Sequence, residues 1–587
     1  LSDGTAFVTG VFNGDVTFGA GESNETILIS EDTGDAFVAK CTPYGTLEWV
    51  KRITDVSGVE GNGIAALGDG GALVTGTFYG IVTLGEGEPN ETTFEVAGPR
   101  ASFLAKYNAE GALAWARQIT GTYGQECTGV AALPNGGCLV VGWFVYTSTF
   151  GPGEPNETTL TTDTYSPTVF IARYAWNGSL VWAIHVGGSG GGWDGERIAA
   201  LSGGGALVTG RFGSQTATFG RGDPNETVLT SAGSDDIFVA KYNYDGTLGW
   251  VKRAGGPGSD CGLGVTTFSD GGAVVTGYIT DSASLGSLDV FVARYSPEGG
   301  LVWSKRAGGT TDAHGAAIEA LSDGSVVLAG SYQIAGVTFG EGEPDETVLA
   351  CAGWDDIFVA KYNSDGTLAW ARRAGGTDAD GAVGVAALAD GGALVTGSFG
   401  ARFDETPGGI ATFGEGEPNE TTLVSEGGQD LFLARFEGWR APDLDGDGLP
   451  DAVETDTGTY NGPTDTGTDP LDPDTDGDGL EDGDEVHDLD PDTAGVQNPF
   501  HPLDPDTTGD NFQDTPDGVP DGENDYDGDG QSNAYELEYG SNPLDAASVV
   551  PAVTYVGTVA LVALLLVLVL IRQSKLLMVK DKGGGPS

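Results

Sequence analysis

Basic residues, thiols and imidazoles are all scarce in this chain. Its 587 residues carry 26 Lys and Arg against 86 Asp and Glu, for a formal charge of −60 at pH 7. Phosphate backbones are held by basic surfaces, so this balance excludes a general nucleic-acid binder and makes cations the natural counter-charge. The five cysteines, at 41, 127, 138, 261 and 351, form no CxxC pair. That pattern suits neither a disulfide framework nor a zinc site, and buried thiols acting as small apolar residues are expected. Of only four histidines, His185 and His314 lack a partner at metal-ligand or triad spacing and read as packing residues. The chain opens inside a repeat, without Met or signal peptide, so upstream sequence is expected. Its length exceeds one compact core, which calls for more than one domain.

What is present is repetition. The stretch Asp356–Trp370, DIFVAKYNSDGTLAW, recurs at 35–49, 101–115, 168–182, 236–250 and 289–303, and a seventh copy opens at Asp430 as DLFLARF. Each copy is an apolar run, a turn that usually carries Asp-Gly, Glu-Gly or Asn-Gly, and a second run ending in Trp, which predicts a β-hairpin. The first run is apolar on both faces, so it needs a neighbour above and below. A second module, as in GVAALADGGALVTGSF (384–399), predicts strand, Asp-Gly-Gly turn, strand. Its glycine returns at Gly10, Gly76, Gly142, Gly210, Gly277, Gly330 and Gly397. The Trp residues at 49, 115, 182, 250, 303 and 370 recur at intervals of 66, 67, 68, 53 and 67. Four strands per repeat at this period predict propeller blades.

These motifs resemble the bacterial and archaeal β-propeller repeat abbreviated SBBP, over about three quarters of the chain. The resemblance implies a seven-bladed propeller on exported or surface proteins, without a settled activity. The chain departs from the simple repeat by a long insert, FGEGEPNETTLVSEGGQD at 413–430, most of which is missing in blade five (277–291). Seven VTG strands and seven FVAK strands but six Trp strands place the missing outer and inner strands upstream of Leu1, with an eighth upstream blade as the alternative. The expected class is therefore all-β: a seven-bladed propeller of four-stranded blades over 1–436, with a linker at 437–442 after it.

Loops between a Trp strand and the next inner strand carry Glu60, Glu126, Asp194, Asp260, Asp312 and Asp380. A ring of these carboxylates at the channel mouth would suit a cation or a polyhydroxylated ligand. The plainer reading is that each caps its own Gly-rich turn. The basic residue of every FVAK strand (Lys40, Lys106, Arg173, Lys241, Arg294, Lys361, Arg435) reads as an inter-blade ion pair rather than a binding patch. The Trp residues read as buried blade-closing aromatics. The inserts hold Asn-Glu-Thr at Asn24, Asn90, Asn156, Asn225 and Asn419, with Asn177-Gly-Ser elsewhere; these are glycosylation sequons on expected exposed loops, or a turn-forming Asn duplicated with the repeat. One insert has Asp345 in the Asn position.

Beyond Trp439 the composition changes. Residues 443–545 hold 32 Asp or Glu and no Lys or Arg. Three loops, DLDGDGLPDAVE, DTDGDGLEDGDE and DYDGDGQSNAYE, place acids at positions 1, 3, 5 and 12 and Gly at 6, at Gly448, Gly479 and Gly530. That is the spacing of an EF-hand-type calcium loop. The expected ligands are Asp443, Asp445, Asp447, the Leu449 carbonyl, Asp451 and Glu454; Asp474, Asp476, Asp478, the Leu480 carbonyl, Asp482 and Glu485; and Asp525, Asp527, Asp529, the Gln531 carbonyl, Asn533 and Glu536. With the linking TDPLDPD (468–474), the segment resembles thrombospondin type 3 repeats and, more distantly, dockerin loops. A fourth stretch, 515–524, lacks the first ligands and the final Glu. Residues 443–545 are thus expected to form an irregular calcium-loop stalk.

Val549–Ile571 is a mostly apolar run of 23 residues, long enough as a helix to cross a ~30 Å hydrocarbon core. Arg572, Lys575, Lys580 and Lys582 come directly after it, so the positive-inside rule puts the tail, 572–587, in the cytoplasm and everything before the span outside. The expectation is a surface-anchored recognition or adhesion protein, with carbohydrate or a surface protein as partner. The alternatives are an extracellular enzyme, either a polysaccharide lyase or hydrolase or a quinoprotein-like dehydrogenase, and a structural envelope component; fold alone does not separate them.

Overall fold

The computed structural model describes residues 5–436, apart from 44, 97, 163–164, 189–193, 214–215, 281–286, 389–390, 401–408, 416–419 and 426–427, together with 572–573. Every described element is a β-strand. Blade four shows the plan: an inner strand Asp194–Ala200, a second Ala206–Gly213, a third Asp235–Tyr242 and an outer Leu248–Ala254, antiparallel in chain order. Seven such blades are present, the first and seventh with three described strands each. The calcium loops and the apolar run at 549–571 lie outside the described residues. By contacts the chain divides into a propeller unit, Leu1–Glu437 with Leu564–Ser587, and a second unit, Gly438–Ala563.

The two-sided apolar run explains how the blades stack. On the third strand of blade four, Phe238, Ala240 and Tyr242 pack towards blade three, while Ile237 and Val239 pack towards blade five. Alternation along a strand sends these sets to opposite faces. Each fully buried side chain of this size contributes about 1.5–3 kcal/mol. One apolar cluster fills each junction between neighbouring blades, and the last joins Leu394 and Leu433 of blade seven to Val8, Phe37 and Val50 of blade one. The ring is closed by packing.

The Trp strands lock consecutive blades. The indole N–H of Trp303 donates to the Ser364 carbonyl, in the hairpin turn of the next blade, at 3.1 Å. Trp49 and Trp250 bond in the same way to Ala109 and Pro297, each at 2.9 Å. Gly366 caps the Trp303 ring with φ +88°, and a Cβ there would lie 2.8 Å from the indole. Left-handed backbone costs an L-residue roughly 1–2 kcal/mol, and here the clash adds to it. Gly366→Ala should therefore lower stability by at least that amount in urea denaturation; an unchanged midpoint would show that the turn is not held against the indole.

The inserts are not free loops. In blades two, three and seven the insert is a short hairpin whose first strand runs beside the outer strand of the preceding blade, as Thr83 pairs with Thr54 and Phe413 with Ala374. Its turn is latched to its own blade's outer strand. Glu88 accepts from Leu113 N at 2.6 Å, and Asn90 Nδ2 donates to Leu113 O at 3.0 Å. Asn24, Asn156 and Asn225 repeat the latch at 3.1 Å. The insert thus staples two blades and covers part of an otherwise open sheet edge.

Candidate functional site

Ladder register defines one mouth of the ring. The inner-strand residue opposite the one just after each VTG glycine is Glu60, Glu126, Asp194, Cys261, His314 or Gly381 in blades two to seven. Across from them stand Thr77, Trp143, Arg211, Tyr278, Ser331 and Ser398. Here the repeats diverge from one another, whereas their junctions keep one apolar pattern.

Only three of the six predicted carboxylates share this level. Asp260 and Asp380 precede it by one residue and Asp312 by two. A one-residue offset turns a strand side chain to the opposite face, and the first two are buried in their loops. Asp260 accepts from Gly256 N at 2.6 Å and Thr280 N at 2.7 Å; Asp380 accepts from Gly376 N at 2.7 Å and Gly400 N at 3.0 Å. Burial pushes the Asp380 carboxyl up to about 6, against the pull of those two N–H donors. Asp312 accepts from Leu288 N at 2.9 Å. Glu126 pairs with Arg100 at 3.0 Å, and that guanidinium sits 4.3 Å from the centre of the Trp143 ring. Glu60 is half-buried, without a hydrogen-bond partner among the described residues.

Among the described residues, Lys40, Lys106, Arg173, Lys241, Arg294 and Lys361 form no ion pair across a blade junction. Lys40 pairs with Glu48 at 2.8 Å and Lys106 with Asp69 at 2.7 Å, each inside its own blade. Those that cross, Arg173, Lys241 and Arg294, reach the backbone carbonyls of Tyr244, Pro297 and Ser364. A carbonyl in the next hairpin turn lies closer to them than any acid there. None of the five cysteines is in a disulfide; burial pushes Cys41 and Cys127 up to about 12, which makes them unreactive packing groups. The sequon asparagines of the described inserts stand on exposed turns with the Nδ2 atom engaged in the latch, while Asn177 is exposed and uses its Oδ1 to accept from Ser179. Asn419 lies outside the described residues.

Sequence reasoning passes over one titratable group. Glu319, on the inner strand of blade six, accepts from Thr266 Oγ at 2.9 Å across the blade junction. Burial pushes its carboxyl up to about 7, opposed by the bonds from Thr266 and Ala320. The folded protein therefore holds a proton that the unfolded chain releases above its ordinary value of 4.5. The stability this confers is complete below the unfolded pKa and is lost as pH rises through 7. Glu319→Gln should be neutral in acid and stabilising by about 1–3 kcal/mol in mild alkali. Denaturant titrations in acid and in mild alkali check this, and a pH-independent difference would refute it.

A model of the bacterial thrombospondin type 3 (TSP3) repeat matches residues 443–459, 474–487 and 525–546. These segments contain the three complete calcium-type loops, and the match passes over 515–524. The chain is similar to the regulatory protein FlaEY of Caulobacter vibrioides, at 28% identity over 261 residues, covering 41% of this chain and 25% of that one. It is also similar to the uncharacterized WD repeat-containing protein L264 of Acanthamoeba polyphaga mimivirus, at 22% identity over 383 residues, covering 52% of this chain and 27% of that one. The chain thus spans about a quarter of the length of either curated relative. Among solved structures, the WD40 domain of Neurospora crassa Pan2 aligns with a TM-score of 0.30 at 9% identity, over 57% of this chain and 85% of that one. The fold assignment rests on the blade registers above. The molecule is a seven-bladed β-propeller whose chain continues into TSP3 repeats.

Proposed function

We propose that this is an extracellular recognition protein, a propeller head that binds carbohydrate or a surface protein and is carried on a calcium-ordered stalk. The observation that carries the reading is the divergence at one register level. Near-identical blades present Glu60, Glu126, Asp194, Cys261, His314 and Gly381 at equivalent places. A scaffold kept regular in its junctions and varied at its rim is what recognition of an asymmetric ligand uses. The test is a glycan array probed with the full chain. Selective binding supports the reading, and turnover of a polysaccharide or alcohol would replace it with the enzyme alternative.

The TSP3 segment fits calcium by its donors. Each loop offers four or five carboxylates at its ligand positions and a backbone carbonyl, all hard oxygen ligands, with no thiol or imidazole in the loop. The three loops named above would hold one ion each and supply the stalk with the positive charge its sequence lacks.

Anchoring through Val549–Ile571 is the third part of the proposal and rests on sequence. One observation stands against a tail across the membrane: Arg572 and Gln573 form a two-residue strand on Val16 and Thr17 of blade one. Among the described residues no helix is long and apolar enough to cross a membrane. An epitope placed after Ser587 separates the arrangements. Protection from external protease in intact cells supports the span, and digestion overturns it.

A further inference from the structure

Two blade junctions of this ring share a backbone and differ in side chains, and the difference opens a site. At the junction of blades four and five, Asp235 accepts from Ser259 Oγ at 3.0 Å, and Tyr278 stands opposite Cys261. The same backbone recurs at blades six and seven: the bridge Asp235 to Ser259 becomes Asp355 to Ala379, and the bond Ser234 N to Gly258 O becomes Trp354 N to Asp378 O. The side chains do not recur. Ser259, Cys261, Tyr278 and Thr280 are replaced by Ala379, Gly381, Ser398 and Gly400, each a loss of volume. On the blade-six side, Ser331 takes the place of Arg211.

The result is a cavity of about 270 Å³ with His314, Ser331, Gln333, Asp355 and Gln429 in its wall. We propose that this cavity is a binding subsite for one neutral pyranose unit of a glycan. The inference rests on the recognition reading above and assigns it a place and a ligand class. The charge of the wall selects against anions, since among the described residues it holds Asp355 and Asp380 but no Lys or Arg. It also selects against a bare metal ion. Asp380 already accepts two backbone N–H bonds, and no group of three or more metal-ligating side chains occurs among the described residues.

The remaining inventory matches a sugar. The Asp355 carboxylate has lost the hydroxyl partner that Asp235 keeps, and no donor replaces it among the described residues. A carboxylate in that state accepts well from a pair of vicinal hydroxyls. His314, whose pKa burial lowers against the opposing pull of Asp355 and Asp312, lies 3.3 Å from Ser331 Oγ, and its ring can donate or accept according to tautomer. Gln429 donates to Ala379 O at 3.3 Å, which leaves its carbonyl oxygen for the ligand. For the C–H faces of the ring there is Val383 in the wall, 59% exposed. At about 270 Å³ the cavity lies at the small end of small-molecule sites, the scale of one hexose rather than of an oligosaccharide.

The test uses the full chain in a non-glycosidic detergent, with methyl pyranosides of glucose, galactose, mannose and N-acetylglucosamine as probes in saturation-transfer NMR and calorimetry. One of them should bind in the millimolar range. Ser398→Tyr restores the residue of blade five and should abolish binding without lowering the thermal midpoint. Asp355→Asn removes a carboxylate that bonds nothing else in the described fold, and should weaken binding at least tenfold even if the Tyr variant folds poorly. Unchanged affinity in the Asn variant, or no binding of any probe, overturns the subsite. Glycan-array binding that survives Ser398→Tyr overturns the subsite while the recognition reading stands. An array empty for the unaltered chain removes both.

Discussion

Trp370→Ala should lower the stability of the propeller by about 3–5 kcal/mol, the range for truncating a large enclosed aromatic. Trp370 is 7% exposed and packs in the cluster that joins blades six and seven, with Leu321, Val359 and Val395 in the same cluster. The other five anchors are half-buried, so their truncation should cost less. Two terms add in this case: the transfer of the indole to water and the cavity left between two sheets that cannot close over it. A loss of this size is a large fraction of the margin by which domains are stable. Urea denaturation followed by near-ultraviolet circular dichroism measures it. A cost below about 1 kcal/mol would mean that the sheets relax around the gap and that the junction is not the rigid wall a subsite between those blades requires.

The blade is legible because its strongest signal is local. A run apolar on both faces, as in Ile357–Tyr362, admits one environment, the middle of a stack, and Asp-Gly turns fix where it reverses. The recurring VTG glycine is explained only in three dimensions. At Gly76 a Cβ would collide with the Glu60 carbonyl and the Phe103 ring, because the inner strand bulges between Gly61 and Gly63. That bulge recurs in blades two to seven, so what separates the six acids is their distance from the glycine. Glu60 stands sixteen residues before Gly76, Asp260 seventeen before Gly277 and Asp312 eighteen before Gly330. Measured from the glycine, the difference is present in the sequence; measured from the preceding Trp it is hidden, since loop length varies on that side.

The inserts read as exposed loops, and prove to be latched hairpins, for a related reason. Gly, Pro, Asn and Glu are turn formers by composition, and nothing in a composition says that Asn90 Nδ2 will find Leu113 O. Partners of long polar side chains are likewise set by what the fold brings near. Hence Arg173 and Lys241 find carbonyls where charge counting expects carboxylates. The cavity between blades six and seven is the opposite case. Every substitution that opens it is visible in the sequence, and only the register says that they converge.

Calcium should convert residues 443–545 from an expanded chain to an ordered rod, and its removal should be the largest single effect on this protein. Without the ion, five carboxylates crowd the first loop, at Asp443, Asp445, Asp447, Asp451 and Glu454, and the segment contains no basic residue to offset them. Like charges a few ångströms apart repel by a few kcal/mol at an intermediate effective dielectric. Little apolar surface is available to offset the chain entropy of ordering. Extracellular calcium modules bind with dissociation constants of about 0.1–1 mM, and at a hundredfold excess each site adds ~2.7 kcal/mol to the ordered form. Three sites acting together would contribute about 8 kcal/mol on that scale, more than any side-chain truncation considered above. Salt alone would not substitute, because screening weakens the repulsion without supplying ligand bonds. Small-angle scattering of the chain truncated after Ser548, recorded with calcium and with chelator, should show a defined maximum dimension in the first case and a broader, flexible distribution in the second. Calorimetric titration should find three sites. Replacing Asp445, Asp476 and Asp527 together by Ala should leave the scattering profile insensitive to calcium while the propeller's unfolding transition is unchanged. Identical profiles with and without the ion, together with no heat on titration, would reduce the segment to an acidic solvated spacer and leave the head on a tether of no fixed length.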